Sequence, residues 1–250
     1  MQVTTSNFSL KELPSDIICV SLFEGESLPA YLNQLDQSLG GIISNVLKLK
    51  DFKGKLYETI VLHTHSRIAS PRVLLVGLGK KDEYQLGRLT KNAAGSAVRK
   101  AVKAGARKIA LVIEKPESSY ETVLGAILGS FDPAIHKTKK EDSPIQELII
   151  VGAEPKIIKE ATTIAETINM VRNMISEPAN IMTPNRFVDE AKKLAKTYKL
   201  ALEVIDEKEA ARRKMGAFLA IARGSDEPSY MVVLRYKAPK PSKTTLGIVG

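Results

Sequence analysis

Short apolar runs alternate with helical patterns over the first 155 residues. The runs at 17–23, 56–63, 72–77, 108–113 and 147–151 predict five strands. The last three are apolar at nearly every position, which is typical of strands buried on both faces. Residues 90–104 predict a helix that ends at Gly105, and residues 122–128 predict a second, weaker one. A strand, a helix and a strand at this spacing form a βαβ unit, so we expect a parallel or mixed sheet.

A long helix is predicted at residues 156–175 by a single apolar stripe. The stripe consists of Ile157, Ala161, Ile164, Ile168, Val171 and Ile175, which recur at steps of four and three residues. Proline follows Glu154 at one end and Glu177 at the other. We interpret the segment as a helix that connects two domains; a core helix of one larger domain is the alternative.

A second α/β pattern follows this helix. Thr183 is a predicted N-cap with Pro184 in the first turn, and one apolar face of the helix carries Phe187, Ala191, Leu194 and Tyr198. Strands are predicted at 201–205, 231–236 and 245–249, and a helix at 207–215. A buried type of strand at 245–249 predicts either the last strand of a small sheet or a domain that continues beyond it.

Composition and charge narrow the classes of protein. Lys and Arg number 37 against 28 Asp and Glu, a formal charge of +9 that is spread along the chain, with the densest runs at 137–140 and 212–214. DNA binding is compatible with this charge, but we expect it to be weak and electrostatic. Cys19 is the only cysteine and lies in an apolar run, which predicts a small buried hydrophobe rather than a nucleophile. With no signal peptide or membrane-spanning run apparent, we expect a cytoplasmic protein without a membrane partner.

Candidate catalytic groups are few. His63 and His65 alternate on one side of a strand end without an acidic neighbour, so a shared metal is the less favoured interpretation, and His136 lies in a polar loop. Residues 77–79 read Gly-Leu-Gly after a strand, where a phosphate-binding loop would begin, but the third glycine of that fingerprint is missing. Ser225 has no evident base and fits a turn.

Two segments nevertheless resemble those of the leucyl aminopeptidases, the cytosol aminopeptidase family. Residues 172–184, RNMISEPANIMTP, are similar to the family signature R-[DN]-x-x-[NS]-x-P-[AS]-N-x-x-T-P. Residues 214–228, KMGAFLAIARGSDEP, resemble its K-M-G-A-[FL]-L-A-V-x-x-G-S-x-x-P segment. Residues 51–55 and 72–79 look like parts of its N-terminal domain, so the resemblance covers essentially the whole chain.

The resemblance implies an α/β fold in three parts: a macro-domain-like N-terminal domain at 1–155, a connecting helix at 156–175, and an incomplete start of the metallopeptidase catalytic domain at 176–250. It implies a hydrolase that releases N-terminal amino acids, leucine preferred, from peptide substrates with two divalent metal ions (Mn, Zn or Mg), and that assembles as a homo-hexamer. The family's metal ligands begin in a Lys-Gly-x-Thr-Phe-Asp motif that would follow Gly250. We therefore assign no catalytic, metal or substrate-binding residue to this chain, and expect it to be inactive and to bind no metal by itself.

An alternative from a different class is a stand-alone macro-type module that binds an ADP-ribose-like ligand or nucleic acid. Residues 183–250 discriminate between the two, because a free-standing module has no need of them. They follow the opening pattern of the catalytic domain, which favours the aminopeptidase.

Overall fold

The structure is a computed structural model that describes residues 1–6, 8–113, 115–132, 145–239 and 243–250. The predicted features at His136 and at 137–140 lie outside the described residues. The chain forms two compact units, Met1–Arg172 and Asn173–Gly250. Their boundary falls inside one long helix, and the three-part division at 155 and 175 stays a proposal.

The first unit is built on a six-stranded sheet. Its strands are β1 (Gln2–Ser6), β2 (Ile17–Leu22), β3 (Thr59–His63), β4 (Arg72–Gly77), β5 (Lys108–Val112) and β6 (Glu147–Val151). The order is β1-β6-β5-β2-β4-β3, and every pair is parallel except β3 with β4. The predicted mixed α/β sheet is thus confirmed, with all five predicted strands. The strand that the sequence did not predict is β1, an edge strand of mostly polar residues.

Helices cover both faces of this sheet. They are α1 (Asn33–Ser38), α2 (Ile42–Leu49), α3 (Leu86–Lys103), α4 (Ser119–Gly129) and α5 (Pro155–Ser176). Side chains of β2 alternate: Ile17 and Cys19 face a core shared with α3, α4 and α5, while Ile18 and Val20 face a core shared with α1 and α2. This two-sided burial explains why the central strands are continuously apolar.

Helix α5 confirms the predicted long helix, and the predicted apolar stripe is correct only in part. Its buried residues are Ile158, Ala161 and Ala165. Of the predicted stripe, Ile164 is 45% exposed and Ile175 77% exposed. The core-facing side keeps Ala161 of the predicted stripe and adds Ile158 and Ala165.

The second unit is smaller. It contains α6 (Pro184–Tyr198), β7 (Ala201–Ile205), α7 (Glu207–Arg212), α8 (Gly216–Ala222) and β8 (Met231–Arg235), and the two strands are antiparallel. Thr183 caps α6 as predicted, with its side chain accepting a hydrogen bond from the Arg186 amide at 3.3 Å. The predicted apolar face of α6 is only partly correct. Ala191 is buried, but its buried neighbours are Val188 and Ala195, while Phe187 and Tyr198 are exposed.

The helix predicted at 207–215 is confirmed only as far as Arg212, and the strand predicted at 245–249 is wrong. The helix expected at 207–215 ends at Arg212, because Lys214 adopts a left-handed φ of 58° that no α-helix accommodates, and α8 begins separately. Residues 245–249 form no strand: within the described part of the chain nothing pairs with them, and Leu246, Ile248 and Val249 are exposed. An apolar β-branched run is extended backbone only, until a neighbouring strand supplies its hydrogen bonds.

Helices α3 and α4 cross at three glycines, and this crossing yields a stability prediction. A Cβ on Gly125 would lie 2.0 Å from the backbone oxygen of Lys91, too close for any side chain. We expect Gly125→Ala to lower the free energy of unfolding by roughly 3 kcal/mol through overpacking. Urea unfolding checks this. The matched control is Gly87→Ala on α3, where a Cβ meets open space and the change should stay within about 1 kcal/mol. Equal effects of the two substitutions would contradict the close crossing.

Two glutamates of the second unit, Glu203 and Glu209, form an ion-pair group with nearby arginines, and we expect their carboxyl groups to titrate differently. Hydrogen bonds from Arg212, then Arg213, lower the pKa of Glu209 from its ordinary value of 4.5 to about 2. The pKa of Glu203 is lowered first by Arg213, which donates at 2.8 Å, and then by Arg235. We expect Arg213→Gln to raise both values, and that of Glu203 more, because Glu209 keeps its strongest partner.

Carboxyl chemical shifts followed by NMR against pH check this, with Arg186→Gln, whose ion pair is with Glu190, as the control. Since both folded-state pKa values are depressed, the ion pairs stabilise the fold above pH 4.5, and that contribution is lost as the pH falls toward 2. It should be small because these groups are exposed. Unchanged titration of Glu203 in Arg213→Gln would refute the arrangement.

Candidate functional site

The glycines at 77 and 79 form a strand exit rather than a phosphate-binding loop. The amides of Gly77, Leu78 and Gly79 donate to the backbone oxygens of Glu58, Leu22 and Gly54 at 2.8, 2.9 and 3.0 Å. A Cβ on Gly77 would lie 1.8 Å from the oxygen of Lys55. The two family-like segments at 51–55 and 72–79 therefore contact each other. Their amides are already used within the fold, so they have no donors left for a phosphate.

Cys19 and the described histidines supply no catalytic constellation. Cys19 is buried as predicted, and burial raises the pKa of its thiol far above the ordinary value, so it is a poor nucleophile. His63 and His65 are both exposed. Ser225 lies in the predicted turn, where its hydroxyl accepts a hydrogen bond from the Glu227 amide at 3.1 Å.

The signature segment at 172–184 ties the end of α5 to α4 and shapes the start of α6. Arg172 donates to the backbone oxygen of Leu128 at 3.2 Å, and its guanidinium lies 5.6 Å from the centre of the Phe131 ring. The oxygen of Pro178 accepts from the amides of Ile181 and Met182 at 2.8 and 2.9 Å, which closes a turn before the Thr183 cap. Arg172 and Thr183 of this segment therefore have structural roles through their side chains, and Pro178 contributes a turn through its backbone oxygen.

The second signature segment, at 214–228, follows the ion-pair group of α7. Lys214 makes the left-handed turn that separates α7 from α8, and the Met215 amide donates to the oxygen of Ala210 at 2.9 Å. Helix α8 has no buried residue, and Ile221 is 85% exposed. An apolar helix face with this exposure has few contacts of its own within the unit.

Potential metal ligands are scattered rather than grouped. Among residues 1–6, 8–113, 115–132, 145–239 and 243–250, no three His, Cys, Asp or Glu side chains gather in a group suited to a metal ion. A two-metal site needs carboxylates that reach both ions, so the donor set of the described residues does not fit one. None of the helices within those residues is both long and apolar enough to cross a bilayer.

A cavity of about 230 Å³ opens in the first unit, where the carboxyl ends of β2 and β5 lie side by side. Its walls come from β2, β5, α3 and the start of α4. The lining residues are Cys19, Ser21, Phe23, Tyr31, Leu78, Lys81, Tyr84, Thr90, Ala94, Ala97, Leu111, Val112, Ile113, Lys115, Ser118 and Thr122. The sequence did not predict this cavity, because its lining comes from several separate segments of the chain.

Models of one protein family match two segments of the chain. Residues 19–140 match the model of the cytosol aminopeptidase family, N-terminal domain, and residues 169–250 match the model of the same family's catalytic domain. The two matches appear in the order that the sequence predicted and together span most of the chain.

Individual relatives agree. The chain is 31% identical to a probable cytosol aminopeptidase of Solibacter usitatus over 100% of its own length and 52% of the relative's. A solved mutant of tomato leucine aminopeptidase superposes with a TM-score of 0.84 at 26% identity, covering 98% of this chain and 52% of that one. The bottromycin maturation enzyme BotP in complex with Mn shares the fold, with a TM-score of 0.70 at 22% identity over 90% of this chain and 46% of that one.

The chain thus spans about half the length of the relatives it matches. Both family models, the order of their matches and the tomato enzyme's fold point the same way, and the chain belongs to the cytosol aminopeptidase family.

Proposed function

We propose that this chain is the N-terminal portion of a leucyl aminopeptidase, an exopeptidase that removes N-terminal amino acids, leucine preferred, from peptides. The observation that carries the proposal is the match of residues 169–250 to the family's catalytic-domain model, directly after the N-terminal match. The tomato leucine aminopeptidase, which aligns with 98% of the chain, supports the leucine preference.

The family is metal-dependent, and the manganese in the BotP complex supports a divalent ion for the complete protein. Two ions, drawn from Mn, Zn and Mg, remain the proposal for that complete protein. Because the described residues do not offer a two-metal donor set, we derive no catalytic step through them. The proposed part of this chain is structural: Arg172 fastens the end of α5, and Lys214 sets the turn into α8.

The stand-alone binding module gains no support. Residues 183–250 are the feature that separates the two hypotheses, and they fall within the catalytic-domain match. The amides of residues 77–79, which donate within the fold, also argue against a dinucleotide-type phosphate loop.

Assembly and location are proposals for the complete protein. We propose a homo-hexamer on the family resemblance, and a cytoplasmic location from the relatives named cytosol aminopeptidases. DNA binding rests only on the charge of +9 and is proposed, if it occurs, to be weak and sensitive to salt.

An activity comparison tests the proposal. The 250-residue chain, supplied with manganese or zinc, should not hydrolyse leucine p-nitroanilide, because its described residues present no group of metal ligands that could generate the nucleophile. The same chain continued through the Lys-Gly-x-Thr-Phe-Asp motif into a complete catalytic half should hydrolyse it, and a chelator should abolish that activity.

As the control, both chains are prepared in a host that lacks its own aminopeptidases, so that contaminating host enzyme does not contribute to the measured turnover. Chelator-sensitive turnover by the 250-residue chain would show that its own residues hold the metals. An extended chain that folds and loads metal but remains inactive would refute the aminopeptidase assignment.

A further inference from the structure

The cavity between β2 and β5 lies at the switch point of the sheet. The connection that leaves β2 runs toward β3 and β4, whereas the one that leaves β5 passes through α4 to β6 on the other side. Where neighbouring parallel strands send their connections in opposite directions, a crevice opens at their carboxyl ends, and open α/β sheets bind ligands there. The position of this cavity makes it a candidate binding site. The proposed peptidase function assigns no catalytic or binding role to this part of the molecule.

The walls of the cavity are mainly apolar. Leu111 and Ala97 lie at its inner end and are buried in the core between the sheet and helices α3 and α4. Phe23 and Tyr84 form one side, with their rings perpendicular and 5.0 Å between centres. An edge-to-face pair of this kind offers a flat surface for a ring. The walls therefore favour a ligand with an apolar, flat body.

Two lysines are among the described residues that line the cavity. Lys81 and Lys115 are the charged residues among those that line it, and the described lining contains no carboxylate. Lys81 lies 3.8 Å from Glu26 in a loose, exposed pair, and 5.9 Å from the centre of the Phe23 ring. An exposed pair of this length stabilises little, so Lys81 is available to an anionic group of a ligand.

Hydroxyl groups complete the lining. Ser118 and Thr122 are buried, and their hydroxyls donate to the backbone oxygens of Lys115 and Ser118 at 2.7 and 2.8 Å. Each of these oxygen atoms keeps lone pairs that accept hydrogen bonds, while the lysines supply donors. Because the protons of these two hydroxyls are already donated within the fold, an anionic end of a ligand is expected at the lysine ammonium groups rather than at the hydroxyls.

Size sets a further limit. A volume of about 230 Å³ is below the roughly 300–1,000 Å³ of sites for drug-sized ligands. It suits one or two fused rings with a short substituent.

We infer that this cavity is a binding site for a small aromatic molecule that carries one anionic group and no cationic one. The rings contact Phe23 and Tyr84, and the anionic group lies between Lys81 and Lys115. The inference is independent of the proposed peptidase function, since it concerns the first unit alone.

The test is calorimetric titration of the 250-residue chain with three matched probes: 2-naphthoate, 2-naphthamide and 2-naphthylmethylammonium. We expect 2-naphthoate to bind at one site with a Kd below about 1 mM, in line with the affinity of ligands of this size. The neutral amide should bind about tenfold more weakly, and the cation should not bind measurably. Inorganic phosphate should not bind either, because it lacks the apolar body.

Variants connect binding to the cavity. Lys81→Gln combined with Lys115→Gln should weaken 2-naphthoate about tenfold and leave 2-naphthamide unchanged, since two exposed charge contacts are lost. The control is Lys80→Gln, which removes the charge of a neighbouring lysine that pairs with Glu83 outside the cavity. Thermal melts of each variant establish that it is folded.

Three outcomes would overturn the inference. They are equal affinity for naphthoate and naphthamide, equal weakening by Lys80→Gln, and the absence of saturable naphthoate binding to the folded chain. Phosphate binding as tight as that of naphthoate would likewise reduce the site to a cationic surface.

Discussion

The pairing of β2 with β4 on one side and β5 on the other is the interaction on which the first unit depends. Ile18 aligns with both Val73 and Ala110, so one strand joins the two halves of the sheet. Its side chains also divide the interior, with Ile17 in one core and Val20 in the other. Without this strand the sheet would be divided in two, and both cores would lose buried side chains. The same strand ends at the cavity, so the element that holds the fold together also positions the candidate ligand site.

Elements with two-sided burial were predictable from the sequence, because a short, continuously apolar run between turn residues is typical of a central strand. Shorter elements were not. Helices α1 and α2 escaped prediction because they depend on a tertiary contact: Asp36 is buried and accepts from the amide of Ile43 at 2.8 Å, which organises the turn between them. On α5 the periodicity was right and the buried face only partly so, since Ala161 of the predicted stripe is buried together with Ile158 and Ala165, which the stripe did not include. Residues 245–249 show that β propensity without a pairing strand does not make a strand.

The functional features also divide into those that the sequence predicted and those that it did not. The family was identifiable from sequence because residues 172–184 and 214–228 combine glycine, proline and capping residues in an unusual order, and the structure gives these residues turns and caps to make. The cavity left no local signal, since Lys81 and Lys115 are 34 positions apart along the chain and line one cavity only in the folded unit. Motifs that are local in the sequence can thus be recognised from it, whereas the candidate ligand cavity of the first unit cannot.

The central claim, that the sheet around β2 forms a self-sufficient core while the second unit has a smaller one, is tested most directly by native-state hydrogen exchange. Amides of β2, β4 and β5 should exchange only through global unfolding. Those of β7 and β8 should exchange on the order of a hundredfold faster, because only Val188, Ala191, Ala195, Ile205 and Ala210 are buried among the described hydrophobic residues of their unit. Equal protection of the two groups of strands would contradict the account.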